Sequence, residues 1–420
     1  MRRRILFGTL GVLLLGWLIH VTAGAMLSQM LAARVGAALL RFGQGKFNDP
    51  ALFIHRRTGE LLWLITLAFL CAAGHPLLER LIRRRAGVIR WGWAAHAALG
   101  FTLLNIWMGA AGNTALFWGA VGAGAGFQNL MQFHFKRIVF EENPASRGAV
   151  LVGNSQTRAQ IDEGLLNERF GTNLWTAELH FPGSHAYDLL LIERQLRRAN
   201  PQLVICYLNE NYFYNGSAGE SVPSFFGLRE LPDAWRRGAV RHLEGKGVFY
   251  GLLGDMLPLF RYREALAQRL FSASAVQLKQ SQYNTSLAVD LETRAREAAS
   301  RSQLDAESEF QKRAFEEFVA RCQQANRRVI ALDGQSNPIL TRQLDPSVRT
   351  DLTSFLDQLQ HGYSNLVVVR GNALPQQSSA DYEDLTHVNP EAQRRFTLWL
   401  AEFIEKQVSR PQVPLNVRDK

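Results

Sequence analysis

Ala149-Val150-Leu151-Val152-Gly153-Asn154-Ser155-Gln156-Thr157-Arg158 is a short apolar run of β character that stops at a glycine and gives way to a serine and a polar, helix-compatible stretch. A serine at such a strand-to-helix turn stands at the carboxyl end of a strand, where open α/β sheets place their sites. Far along the chain, Asp384-Leu385-Thr386-His387-Val388-Asn389-Pro390 supplies a carboxylate and an imidazole three positions apart. A serine hydroxyl needs a base to act as a nucleophile, and the base needs an orienting group. All three are present, in the order Ser155, Asp384, His387.

The surrounding sequence reads as strands alternating with amphipathic helices. Residues 149–152, 173–177, 203–207, 329–332 and 366–369 are short, mostly apolar or β-branched runs, the pattern of strands buried on both faces. Residues 185–198 carry Leu189, Ile192 and Leu196 on one helical face, with Glu193 and Arg197 spaced to pair. Residues 306–325 and 390–406 have the same character, the latter with a stripe of Phe396, Leu400, Phe403 and Ile404. Strands alternating with helices predict an α/β fold with a parallel sheet covered on both sides. Residues 211–286 break the rhythm with a dense run of aromatics between the third and fourth strands. This insertion is either a helical subdomain with its own core, or a groove wall or contact surface. Residues 410–420 read as a disordered tail.

The net charge of +10 suggests nucleic-acid binding until it is located. Residues 1–112 hold 13 Lys/Arg and 3 Asp/Glu, and the remainder holds 34 of each sign. The excess sits among hydrophobic runs, as the positive-inside bias of membrane proteins places it, so no basic surface is left to predict a nucleic-acid partner. Residues 5–33, 61–78 and 91–135 contain no Asp, Glu, Lys or Arg. Each is long enough to supply a span, and residues 1–135 are expected to form a membrane region with about three transmembrane helices. A cleaved signal peptide accounts for the first run through Ala23-Gly24-Ala25 but leaves the other two unexplained. In the third, 91–111 makes a good span, while Gly119, Gly122, Gly124 and Gly126 make 114–131 a poor one. Arg2, Arg3 and Arg4 together with the arginines of 80–90 put three spans' downstream chain outside the cytoplasm; a fourth would put it inside. Cys71, Cys206 and Cys322 lack metal-site or disulfide spacing and read as small buried hydrophobes. His180 and His185 lack nearby carboxylate or thiol partners, so neither a metal nor a cofactor is implied.

These motifs resemble the SGNH/GDSL hydrolase superfamily over residues 145–409. The resemblance implies a flavodoxin-like three-layer α/β/α domain following the N-terminal transmembrane helices. It makes Ser155, in Gly153-Asn154-Ser155, the nucleophile, with Asn154 where the family carries aspartate. Gly183, in Phe181-Pro182-Gly183-Ser184-His185, is the implied backbone donor to the oxyanion. Asn209, in Tyr207-Leu208-Asn209-Glu210, is the implied side-chain donor, with Tyr207 and Glu210 departing from that block's glycine and aspartate. Asp384 and His387 match the last block in full.

With an extracytoplasmic domain on a membrane anchor, the chain is similar to bacterial SGNH-like proteins that add or remove acyl groups on exported polysaccharides. The resemblance implies an O-acyltransferase (acetyl, in the leading reading) of a cell-surface glycan in the inner membrane, with a membrane-bound O-acyltransferase as partner. An esterase of the same glycan, or a non-catalytic glycan-binding subunit of a synthase complex, are the alternatives. The topology makes a direct prediction: a reporter fused after residue 140 is active only as an exported reporter. Activity of a cytoplasmic reporter there would make 114–131 a fourth span and remove an exported glycan from consideration.

Overall fold

The structure, a computed structural model, describes residues 2–31, 33, 50–85, 92–114, 117, 133–134, 136–137, 140–141, 148–171, 173–181, 183–214, 222–262 and 290–408. Two compact units result: Met1–Ala123 with Met256–Arg269, and Gly124–Asp255 with Leu270–Lys420. Most of 114–131, parts of the 211–286 insertion and the 410–420 tail lie outside the described residues.

The first unit is built on α1 (Arg2–Thr22), α2 (Pro50–Arg85) and α3 (Gly92–Ala111). One stretch of α2, Ile54–Gly74, has the length and mean hydropathy (1.3) to cross a bilayer. It begins before the charge-free run at Leu61 and includes Arg57 and Glu60, which pair at 2.7 Å, one turn apart. The expected straight span over 5–33 is instead a pair of helices, Thr9–Thr22 and Gly24–Leu31, bent by 75°. At the bend a Cβ on Gly24 would lie 3.0 Å from the His55 ring, which stacks on His20 at 4.3 Å, so the glycine lets α2 approach closely. The third apolar helix, Ala97–Ala111, is shorter than a full span. Indole N–H groups tie the helices together, Trp17 donating to Thr66 Oγ1 and Trp107 to the Leu64 carbonyl, both at 3.1 Å. Residues 256–262, from within the insertion, pack here as well. The Leu259 N–H donates to Asn105 Oδ1 at 3.1 Å, and the Tyr262 ring covers Gly112 so closely that a Cβ there would clash.

The second unit is an α/β domain with a five-stranded, all-parallel sheet. Its elements are β1 (Gly148–Gly153), α4 (Ser155–Gln160), α5 (Glu163–Phe170), β2 (Trp175–His180), α6 (Ala186–Ala199), β3 (Leu203–Leu208), α7 (Leu231–Arg236), α8 (Ala306–Gln324), β4 (Arg328–Asp333), α9 (Pro346–Gly362), β5 (Leu366–Val369) and α10 (Pro390–Val408). Strand order is β2-β1-β3-β4-β5. Gly153 is in register with His180, and Leu208 with Asp333, so the carboxyl ends of the strands form one edge. Alternate residues of the strands, among them Leu151, Ile205 and Leu332, pack with Leu166 of α5 and Phe396, Leu400 and Ile404 of α10. The intervening set (Val150, Val152, Val204, Cys206, Val329, Ala331) is equally buried, and α6 and α8 pack together on that side. The central strands β1 and β3 are therefore apolar along their whole length because they have no solvent face.

The helices lie where the periodicity puts them, and Glu193 and Arg197 pair at 3.0 Å on α6. The second strand departs from expectation: it runs Trp175–His180 rather than 173–177. Glu178, just beyond the expected run, is buried against Lys136 Nζ at 2.8 Å, which also binds Glu163 at 2.5 Å. Burial alone would discharge this amine, but the two carboxylates outweigh it and raise its pKa. Leu400→Ala, at a fully buried site, is expected to cost about 2–5 kcal/mol. Glu402→Ala, one surface position away, should cost less than about 0.5 kcal/mol. Chemical denaturation of the two variants checks both values.

Candidate active site

The end of β1 forces a glycine. Gly153 has φ +145°, and a Cβ there would meet Thr157 Oγ1 at 2.1 Å. Both restrictions exclude a side chain. Asn154 then caps α4: its Oδ1 accepts the Gln156 N–H at 3.0 Å and its carbonyl accepts the Thr157 N–H at 3.1 Å. The amide oxygen of asparagine makes this cap as a carboxylate would, so the change from aspartate keeps the turn. Ser155 follows as the first helical residue, half-buried, with its hydroxyl at the strand-end edge.

His387 Nε2 lies 2.9 Å from Ser155 Oγ, and its Nδ1 lies 2.7 Å from Asp384 Oδ2. A carboxylate only accepts hydrogen bonds, so Nδ1 carries the ring proton and donates it to Asp384. Nε2 is left with a lone pair to accept the Ser155 hydroxyl. Asp384 Oδ1 is held in turn by the N–H groups of Thr386 at 2.7 Å and His387 at 2.8 Å. Burial pushes the Asp384 carboxyl up, but the hydrogen bond from His387, the attraction of its ring whenever it is protonated, and these two N–H groups outweigh it. The group sits well below the usual carboxylate range. Behind the loop, Asn389 Oδ1 accepts the Ala392 N–H at 3.0 Å, capping α10, so His387 is anchored on a long packed helix.

A segment that the sequence did not single out fixes this loop from the sheet side. After β4, Asn337 Nδ2 donates to the Asp384 carbonyl at 2.9 Å and the Asn337 N–H donates to the Leu385 carbonyl at 3.1 Å. The Tyr382 hydroxyl donates to the Gln335 carbonyl at 3.2 Å, as does the Tyr207 hydroxyl at 2.8 Å. Asn337 Oδ1 also accepts the Ile339 N–H at 3.0 Å, capping a short helix that starts at Pro338. That is the same Asn-Pro signal as Asn389-Pro390, and it was available in the sequence. Ser184 is a second such residue, its hydroxyl donating to the Gly153 carbonyl at 2.9 Å and tying the turn after β2 to the turn after β1.

Gly183 lies in that turn, exposed, with φ +69°. Asn209 directly follows β3 and is 1% exposed, with Nδ2 3.3 Å from Ser336 Oγ. Tyr207 and Glu210, the two departures beside it, are both accommodated. The Tyr207 ring fills space that Gly334 leaves open, since a Cβ there would fall 2.4 Å from it. Glu210 pairs with Arg349 at 3.0 Å, which also binds Asp333 at 2.9 Å. His180 is buried at the end of β2, and His185 starts α6 with its N–H donated to Asp188 at 2.7 Å.

A scan against protein-family models finds none that matches, and no curated protein matches the chain. Among solved structures, the chain is similar to a Bacteroides fragilis NCTC 9343 protein described as an acylhydrolase, at 11% identity and a TM-score of 0.33. The match covers 68% of this chain and 99% of that one. A superposition this loose says nothing about chemistry.

Depression of the Asp384 pKa has a signed consequence. A carboxyl lowered in the fold contributes stability that is present above its unfolded value of about 4 and lost as pH falls toward the folded one. His387→Ala removes the largest of the opposing partners, so carboxyl NMR titration should find Asp384 shifted up toward the ordinary range. An unshifted Asp384 would assign the depression to the Thr386 and His387 N–H groups alone.

Proposed function

We propose that this chain is a membrane-anchored, serine-dependent acyl-transfer enzyme of SGNH-like type that O-acylates an exported cell-surface polysaccharide, with acetyl as the leading acyl group. The observation that carries the reading is the unbroken relay from Ser155 Oγ through His387 to Asp384. The strand order is the one flavodoxin-like sheets use, with sites at the carboxyl edge, which supports the fold assignment.

In the first half-reaction Ser155 Oγ attacks the acyl carbonyl carbon as His387 Nε2 takes its proton. The tetrahedral intermediate collapses when the donor's C–O bond breaks and His387 returns the proton to the leaving oxygen. In the second half an acceptor hydroxyl repeats the sequence on the acyl-serine, releasing Ser155. Asp384 holds the tautomer and stabilises the imidazolium. The negative charge on the intermediate needs preorganised donors, and the Ser155 N–H, the Gly183 N–H and Asn209 are the proposed ones. A sugar hydroxyl as acceptor makes the enzyme a transferase; water makes it an esterase. A membrane-bound O-acyltransferase is the proposed partner that delivers the acyl group across the bilayer. The apolar Ile54–Gly74 helix supports the anchor.

A fluorophosphonate probe should label Ser155, and Ser155→Ala should abolish labelling. His387→Ala should slow it by about a thousandfold or more, as expected for a member of a unit acting together. Asn209→Ala should slow turnover by about a hundredfold if its amide meets the oxyanion. Labelling that survives Ser155→Ala would leave a non-catalytic glycan-binding subunit as the reading. With labelled acyl-enzyme in hand, faster release to glycan than to water identifies the transferase.

A further inference from the structure

Away from Ser155, two adjoining recesses run along α6. The larger, about 580 Å³, is lined by Arg194, Arg197, Arg198, Arg229, Arg236 and Arg321. The smaller, about 300 Å³, is lined by Arg237, Arg241, Arg313 and His242, and both share Tyr187 and Leu190 as walls. Against these nine arginines the lining offers four carboxylates, Glu193, Glu230, Asp233 and Glu317. Asp233 serves three guanidinium groups, at 3.6 Å to Arg236, 3.0 Å to Arg237 and 2.9 Å to Arg321. Arg194 reaches Glu230 only at 3.8 Å. Among the described residues Arg229, Arg241 and Arg313 have no ion-pair partner at all. The chain after residue 112 has equal numbers of acidic and basic side chains, so this surplus is a local concentration of charge.

Shape narrows the ligand. From Tyr187 to Arg198 the track follows α6 for about 16 Å, longer than a single small anion requires. A bilayer surface is flat and cannot enter a recess, whereas one polymer chain can. Guanidinium forks bind carboxylates in a bidentate fashion, and Trp235, 73% exposed, adds an apolar face next to Arg236. The track begins close to the strand-end edge: Tyr187 is three residues beyond Ser184, whose hydroxyl is bonded to the Gly153 carbonyl.

We infer that the α6 track binds an acidic glycan chain with repeated carboxylates, holding the polymer while one of its hydroxyls reaches Ser155. This rests on the acyl-transfer reading above and adds the class of polysaccharide to it. Binding is electrostatic and open to solvent, so it weakens with salt.

The test uses the full-length protein in detergent, carrying Ser155→Ala so that binding is read without turnover. The probes are a polygalacturonate oligosaccharide, a neutral cello-oligosaccharide and phosphatidylglycerol vesicles. The polyuronate should bind, in a salt-sensitive manner, and the neutral glycan should not. The triple variant Arg229→Glu, Arg241→Glu, Arg313→Glu should weaken polyuronate binding by about tenfold or more. The three sites are exposed or half-buried and lie in the loops and helices that rim the track. Replacing the same three arginines with glutamine is a second, milder variant, expected to weaken binding to a smaller extent. Arg169→Glu, on α5 at the other face of the sheet, is the control and should leave binding unchanged. Equal polyuronate binding by parent and both triple variants overturns the inference, as does equal binding of the neutral glycan. Capture of the vesicles with no polyuronate binding overturns it in favour of a lipid surface. Failure of Ser155 labelling with polyuronate binding intact would remove the catalytic reading and leave the track standing.

Discussion

The side-chain amide of Asn337, donated to the backbone carbonyl of Asp384, is the contact on which the arrangement at Ser155 depends. Ser155 and His387 are 232 residues apart in sequence and come from different strand ends. A parallel sheet brings all carboxyl-terminal strand ends to one edge, but that places loops only roughly. Residues 334–337 remove the remaining freedom by binding the 382–387 loop through Gln335 and Asn337 and meeting Asn209 through Ser336. Each such bond is worth only about 1 kcal/mol net, yet several acting on one short loop hold an imidazole within hydrogen-bond reach of a serine.

The same edge shows how departures from a motif are absorbed. Tyr207 is large where a glycine stands in the resembling family, and Gly334 on the neighbouring strand end is the glycine that makes room for it. Glu210 enters a buried cluster with Arg349 and Asp333 rather than projecting toward Ser155. Asn154 gives up a charge beside the nucleophile but keeps the oxygen that caps α4. In each case the changed residue retains a packed and hydrogen-bonded role, so the backbone that presents Ser155 and His387 keeps its course.

Charge in this chain has three distinct uses. In the first unit Arg57 and Glu60 pair within the apolar helix α2. In the second unit Lys136 pairs with the buried Glu163 and Glu178, the latter inside β2. Along α6, Arg194, Arg197 and Arg198 reach Glu230, Glu193 and Glu141 at 3.8, 3.0 and 4.0 Å. Composition alone sums these to a single net charge and cannot separate them.

The sequence by itself determined the elements and the chemistry they carry. Short continuous apolar runs marked the strands and period-3.6 stripes the main helices, because burial on two faces removes alternation from a strand and burial on one face imposes the helical period. Gly153-Asn154-Ser155, Asp384 and His387 were legible as candidates because a serine at a strand-to-helix turn and a carboxylate three residues before an imidazole are compact local signatures. Tertiary structure alone decided which of the remaining polar residues matter. Asn337, Ser184 and Gln335 act through partners 31 to 128 positions away; the Asn337-Pro338 pair marks a helix start, but nothing local shows which distant loop these residues hold. The bend at Gly24, the buried Glu178 and the arginine track are of the same kind. Each arises from which side chains the folded chain brings together, and pairwise distance is the quantity a linear sequence does not contain.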